Sequence, residues 1–275
     1  MKILVAGATG AIGRKLVPLL VEAGHDVSGT TRRRERGRVL TDMHARSIVV
    51  DVLDAGALHE VVAAERPDVI IHQLTDLSAE DFDANSRLRI EGTANLVSAA
   101  KAAGVQTMIA QSIAWVYGPG SSPAVEDDPL DPAARPYAGV AGLEEAVGTM
   151  PCGVVLRYGA LYGPRTWYAR DGAIAARVRS GELALTPVWT SFVHVEDAAA
   201  AALAALDWPA GPVNIVDDEP VTVAEWLPVY SAALGAPAPG VARHAATSGR
   251  PISNAKAHSL GWKPAHPTWR TGLGG

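Results

Sequence analysis

Apolar residues over the first 160 positions follow two alternating rhythms. Short runs rich in β-branched residues, KILVAG, DVSGTT, SIVVD, DVIIHQ, VQTMIAQS and GVVLRYG, each have the length of one buried strand. Between them, apolar positions recur at helical spacing. These stretches are IGRKLVPLLVEAG ending at Gly24, ALHEVVAAERP with Leu58, Val61 and Val62, SRLRIEGTANLVSAAKAAG, and AGLEEAVGT. Strands alternating with helices predict a parallel sheet covered on both faces, because parallel neighbours need a crossover between them. Right-handed crossovers make this an α/β fold with a doubly wound parallel Rossmann sheet. After Gly163 the rhythm breaks. GAIAARVRSG and EDAAAAALAALDW read as helices and GPVNIVDD as a strand. TVAEWLPVYSAALG reads as a helix opened by a capping box of Thr222 and Glu225. APAPGVARHAATSGRP reads as a loop. The expectation is a dinucleotide-binding Rossmann domain over residues 1–163. A small C-terminal substrate-binding lobe over 164–275 follows, with elements that return to the Rossmann domain.

Composition narrows the class. The 275 residues are 48% hydrophobic and 19% charged, which suits a globular chain with a substantial core. A net charge of −5 argues against nucleic-acid binding. The basic cluster from Arg32 to Arg36 is too short for a nucleic-acid surface. Cys152 is the only cysteine, so neither an intrachain disulfide nor a cysteine-based zinc site is expected, and no metal site. MKILVAGATG is too short an apolar run for a signal peptide or a membrane span. The expected protein is cytoplasmic, a monomer or homodimer, with a small-molecule substrate and no membrane or nucleic-acid partner. Its arginine-rich, lysine-poor composition fits a GC-rich bacterial genome and specialised metabolism.

GATGAIG places Gly7, Gly10 and Gly13 between the first strand and the first helix. Glycine allows a tight turn and close approach of a pyrophosphate to the helix N-terminus, so this is the expected dinucleotide site. The second strand ends in Thr31, Arg32 and Arg33, where NAD sites carry an acid for the ribose hydroxyls. Arginine instead suits the 2′-phosphate of NADP, at roughly 1.5–3 kcal/mol for a charge-assisted bond. NADP(H) is therefore expected in preference to NAD(H). Asp51, ending the third strand, reads either as an acceptor for the adenine amino group or as a turn cap.

Taken together, GATGAIG, DVLD, VIIHQLT, EGTANLVSAA, SIAWVYG, LRYGALYGP, SFVHVEDAA and SNAKAHSLGW resemble the extended short-chain dehydrogenase/reductase superfamily. The resemblance is to its NAD-dependent epimerase/dehydratase-like branch and covers nearly the whole chain. It implies a seven-stranded Rossmann domain with a small substrate lobe. It further implies dinucleotide contacts at Thr9, Ala11, Ile12, Val52, Leu74, Thr75 and Tyr158. The family's chemistry uses a Ser or Thr, a Tyr, and a Lys four residues after the Tyr. Here Ile113 stands at the hydroxyl position, with Ser112 one residue earlier and on the opposite strand face. Tyr137 stands at the tyrosine position, and Ala141 replaces the lysine. The five lysines are Lys2, Lys15, Lys101, Lys256 and Lys263, none a small register slip away. Arg89 is another departure, at a place where the family often has asparagine.

Ligands of such folds bind at the carboxyl edge of the sheet. Tyr137, Ser112, His72 and His194 are the candidate acid–base groups, and Asp76 also follows strand four. Trp115, Tyr117, Tyr162, Trp167, Tyr168 and Trp189 are candidate contacts for a flat or apolar substrate. Asn254 is expected to order the loop that closes the lobe. The leading expectation is an NADP(H)-dependent oxidoreductase. It would reduce a carbonyl or enone of a small aromatic or apolar metabolite with a degenerate Ser-Tyr-Lys site. The alternatives are a non-redox isomerase, dehydratase or cyclase, and a non-catalytic NADP-binding regulator.

Overall fold

The structure is a computed structural model and describes residues 1–75, 82–242 and 249–273. The six expected runs form β1 (Lys2–Ala6), β2 (Asp26–Thr31), β3 (Arg46–Val49), β4 (Val69–His72), β5 (Thr107–Ile113) and β6 (Cys152–Tyr158). Shorter strands follow: β7 (Ala160–Tyr162), β8 (Trp189–Thr190), β9 (Phe192–His194), β10 (Gly211–Ile215) and β11 (Val221–Thr222). The main sheet has seven strands in the order β10-β6-β5-β4-β1-β2-β3. The pairs β1–β2, β1–β4, β2–β3 and β4–β5 are parallel. The order reverses at β1, which makes the sheet doubly wound. GPVNIVDD, from the C-terminal half, thus supplies the seventh strand of the Rossmann sheet as β10.

The helices are α1 (Gly13–Glu22), α2 (Gly37–Asp42), α3 (Ala55–Glu65), α4 (Phe82–Arg87) and α5 (Thr93–Ala102). In the second half of the chain come α6 (Tyr137–Gly148), α7 (Ala173–Arg179), α8 (Val195–Ala204), α9 (Val223–Ala233) and α10 (Ala255–Ser259). Two expectations change. The long helix expected after strand four is interrupted by a π-turn at Leu88–Gly92. Strand three stops at Val49, so Asp51 lies in the turn beyond it. The capping box forms as expected, with Thr222 N–H donating to Glu225 Oε2 at 3.0 Å.

The chain divides into two compact units. The first comprises Met1–Ser112, Pro132–Leu156 and Ala199–Pro212. Its core packs Leu4, Ile70 and Met108 of the sheet against Leu58, Leu96 and Leu143 of α3, α5 and α6. The second comprises Ile113–Asp131, Arg157–Ala198 and Val213–Gly275. Its main core is aromatic, with Tyr162, Phe192, Trp226, Tyr230 and Trp269 all buried. Among the described residues no helix is long and apolar enough to cross a membrane.

Candidate active site

In the first unit, the turn between β1 and α1 is tight for a local reason. Gly7 has φ +88°, and a Cβ there would lie 2.5 Å from the Gln73 carbonyl oxygen. A Cβ on Gly13 would meet the Gly7 carbonyl oxygen at 2.5 Å. Gly10 has more room, its nearest neighbour being the Gly7 oxygen at 3.3 Å. Ala11 and Ile12 lead into α1, whose first N–H groups point out of its N-terminus. Arg14 Nε donates to the Thr9 carbonyl at 3.0 Å and braces the turn.

Around this turn stand the other expected dinucleotide residues of the unit. Thr31 is buried, and its Oγ1 accepts the Arg33 N–H at 3.2 Å, while Arg32 and Arg33 are exposed. Asp51 Oδ1 accepts the Leu53 N–H at 3.0 Å, a turn-capping bond. Val52 is buried, and its carbonyl accepts from Asn95 Nδ2 at 3.0 Å. Leu74 and Thr75 are half-buried in the turn after β4. His72 is fully buried beneath them. Its Nδ1 accepts the Leu74 N–H at 3.1 Å, so Nε2 carries the proton and donates to Thr93 Oγ1 at 2.9 Å. Burial, and then the charge of Arg89, push its pKa down to about 4. His72 is therefore a neutral brace for the Leu74 turn at ordinary pH. Asp76 lies outside the described residues.

Sequence reasoning missed Gln73. Its amide is buried, and neither Nε2 nor Oε1 has a hydrogen-bond partner among the described residues. An unpaired buried amide costs roughly 1–3 kcal/mol. The glycine cradle, which a Cβ would fill, and this orphaned amide beside it fit a dinucleotide.

At the start of α6, Tyr137 and Ala141 are half-buried, one helical turn apart. Ser112, at the end of β5, is fully buried. Its Oγ donates to Glu144 Oε1 at 2.7 Å. That bond ties the end of β5 to α6. Arg89, on the π-turn, is 3% exposed.

The second unit holds the expected substrate aromatics and His194. Trp115 and Trp189 are 49% and 38% exposed. The others are engaged within the unit. Tyr117 donates its hydroxyl to Asn214 Oδ1 at 2.6 Å and accepts from Arg157 Nη1 at 2.7 Å. Tyr158 is fully buried and donates to the Ala198 carbonyl at 3.1 Å. Tyr162 is fully buried and packs edge-on against Phe192. Tyr168 meets Phe192 and Trp226 edge-on at 5.1 and 5.6 Å between centroids. Trp167 is half-buried.

His194 stacks on His266 at 3.8 Å between centroids, and its Nδ1 accepts the Glu196 N–H at 3.4 Å. With Asp197 they bring three ligand-type groups within 4.8 Å. The Asp197 carboxylate already accepts the N–H groups of Ala265 and His266, and His266 Nδ1 lies 3.1 Å from it. The cluster thus works as a clamp on the 265–266 segment. Asn254 Nδ2 donates to the Val216 carbonyl at 3.0 Å and to Asp218 Oδ1 at 2.7 Å.

The model of the NAD dependent epimerase/dehydratase family matches residues 3–216. The chain belongs to this family. Among its relatives is a Streptomyces 3-diazoavenalumate denitrifying reductase, 44% identical over 100% of this chain and 99% of that protein. The Thermus thermophilus UDP-glucose 4-epimerase, solved in complex with NAD, superposes with a TM-score of 0.77. It is 27% identical over 96% of this chain and 94% of its own. The Thermotoga maritima UDP-glucose 4-epimerase, solved with UDP-glucose, shares the fold. Its TM-score is 0.82 at 22% identity, over 100% of this chain and 96% of its own. The expected family and its α/β Rossmann architecture therefore stand, and the protein is an enzyme of the short-chain dehydrogenase/reductase type. The chain carries Gly7, Gly10 and Gly13 in the first turn and Tyr137 at the start of α6, with Arg89, Ile113 and Ala141 at the positions singled out in the sequence.

Proposed function

We propose that this protein is a nicotinamide-dependent reductase that removes a diazo group from a small conjugated organic acid, releasing dinitrogen. The full-length likeness to a denitrifying reductase of a diazo carboxylate suggests the reaction. One observation carries the reading beyond that likeness. The chain keeps the glycine cradle for the cofactor, yet Ile113 and Ala141 remove two of the three groups that manage a proton in the family's pattern.

Diazo removal does not need those groups. A diazo carbon protonated by solvent is a diazonium. A nicotinamide cofactor held at the glycine turn would supply a hydride. At the substrate, the carbon–nitrogen bond breaks, its electron pair leaves on dinitrogen, and a carbon–hydrogen bond forms. Charge and atoms balance with no proton entering or leaving in the redox step. A ketone would need a proton on its oxygen, and a sugar epimerase must take one from a hydroxyl and return it. General acid–base help in such reactions is worth about 10²- to 10⁴-fold. The loss of a lysine and a hydroxyl weighs heavily against those chemistries and little against this one.

The residues have separate tasks in this reading. Gly7, Gly10, Gly13 and the N-terminus of α1 receive the pyrophosphate. Gln73, Leu74 and Thr75 line the cofactor's path, and Arg32 and Arg33 favour NADP(H) over NAD(H). Incubation with a diazonium-bearing aromatic carboxylate and NADPH tests it. The expected result is dinitrogen release above the protein-free rate, with one NADPH consumed per dinitrogen. Deuterium from 4-deuterated cofactor should appear on the carbon that carried nitrogen. No protein-dependent dinitrogen release from any diazo acid, with NADPH bound, would end this reading.

A further inference from the structure

The family pattern loses a cation at position 141 and gains one at position 89. We propose that these two departures are one change. Arg89, carried on the π-turn, supplies the fixed positive charge that the Tyr-x-x-x-Lys pattern carries at position 141. It acts as a positioning residue for the Tyr137 end of α6 and for the Leu74 turn, where the nicotinamide end of the cofactor is received. This rests on the cofactor part of the proposed function and not on the diazo substrate.

Packing sets the π-turn beside the turn of α6 that carries Ala141. A Cβ on Gly139 would lie 3.0 Å from Ser86 Cα. A Cβ on Gly142 would lie 3.1 Å from Ile90 Cγ1. The segment 86–90 therefore packs against the Gly139–Gly142 face of α6, level with Ala141 along the axis, with Ala141 itself about 100° round the helix from Gly142. The π-turn accommodates an extra residue per turn and buries Leu88, Arg89 and Gly92 together while leaving Ile90 exposed. Burying a guanidinium costs several kcal/mol unless its surroundings compensate it. Here the compensation is partial. The Nε of Arg89 has no hydrogen-bond partner among the described residues.

Two fixed groups flank the charge. Glu144 lies three residues beyond Ala141 and seven beyond Tyr137, which puts all three on one helix face. Its carboxylate is held by Ser112, and its charge favours the Arg89 cation. Burial lowers Arg89 to a pKa of about 10, so it remains charged at neutral pH. His72 is kept neutral by burial and by Arg89, and a neutral His72 can accept the Leu74 N–H. A lysine at 141 would add a second cation on the face of α6 that carries Glu144. Alanine there is what a relocated charge requires.

Cofactor titration with purified protein and NADPH, followed by fluorescence, tests this without any substrate. Arg89→Met should weaken NADPH binding by about tenfold or more. Adding Ala141→Lys to that variant should restore the affinity to within about threefold of the native protein. Ala141→Lys alone should weaken binding by about tenfold, because two cations then share one place. An Arg89→Met protein that melts lower but binds NADPH normally when folded would overturn the proposal. So would failure of Ala141→Lys to rescue it. If Arg89→Met does not fold, Ala141→Lys alone decides, and unchanged affinity there rejects a shared charge site. Normal titration results with no diazo reduction would refute the substrate reading and leave this one standing.

Discussion

Two helix starts of the first unit, the N-terminus of α1 and the N-terminus of α6, differ in how much of the expected family pattern they carry. At α1, three glycines form a turn in which added Cβ atoms on Gly7 and Gly13 would strike backbone at 2.5 Å. At α6, Tyr137 stands at the tyrosine position and Ala141 at the lysine position expected from the family resemblance, and the buried Arg89 is on another segment. In the proposed function the first region would bind by backbone shape, which leaves little freedom to change. The second would handle protons by side-chain charge, which can be removed or moved if the reaction needs no proton. Under that proposal, cofactor delivery and acid–base help are separable.

The largest expected effect lies in the first region. Gly10→Val puts a branched side chain in the proposed pyrophosphate site, and its only close neighbour is the Gly7 oxygen at 3.3 Å. The variant should melt within a few degrees of the native protein and lose NADH and NADPH binding by more than about 10²-fold. Gly7→Ala should fail earlier, at folding, because φ +88° and the Gln73 oxygen at 2.5 Å both oppose it. Calorimetric titration and thermal melts of both variants separate the two. Normal cofactor binding by folded Gly10→Val would place the pyrophosphate elsewhere.

His72 sharpens the comparison from beneath the Leu74 turn. Its folded pKa is about 4, against about 6.5 in the unfolded chain. Above pH 6.5 both states are neutral and the residue adds no pH dependence. As pH falls from 6.5 towards 4, the unfolded state takes up a proton and the folded state does not. Stability is therefore lost over that window, by up to about 3 kcal/mol. His72→Gln should flatten this part of the acid slope in urea unfolding at several pH values. An unchanged slope would mean that His72 titrates freely and is available for proton transfer.

The legibility of the two regions in the sequence follows from the same difference. The glycine turn is local: strand, turn and helix are adjacent, and glycine's geometry is written in the residue itself. The buried polar layer is not local. Gln73, Arg89 and Glu144 look like surface residues in a sequence, and only the packing of β4, β5, α6 and the π-turn buries or holds them. The π-turn shifts the helical register by one residue, which periodicity cannot see. Strand neighbours are also non-local, so GPVNI reads as part of a lobe although β10 lies beside β6. Aromatic residues are ambiguous by type alone. Tyr162 and Trp115 look alike as pocket candidates, and burial separates them at 0% and 49% exposure.

A smaller effect is expected at the end of β2. Arg32→Ala should weaken NADPH by about tenfold and leave NADH within about twofold, since one charge-assisted bond to a phosphate is lost. Both titrations on the same preparation are needed. Equal losses for the two cofactors would mean that Arg32 shapes the turn and does not read the 2′-phosphate.

The smallest expected effect is the most discriminating. Tyr137 is the last member of the family's proton-handling set left in place, half-buried at the start of α6. If the reaction is hydride delivery to a diazonium, no proton moves in the redox step, and the phenol has only a packing role. Tyr137→Phe should then change turnover on a diazo acid by less than about threefold while NADPH affinity holds. A carbonyl reductase would behave differently, because the phenol would donate to the developing alkoxide. Its loss would cost about 10²-fold or more. Running the variant on a diazo acid and on a panel of ketones separates the two chemistries in one experiment. A large loss on the diazo acid would show that proton transfer at α6 is still part of the reaction, and that Ala141 weakened this helix start without releasing it from its old task.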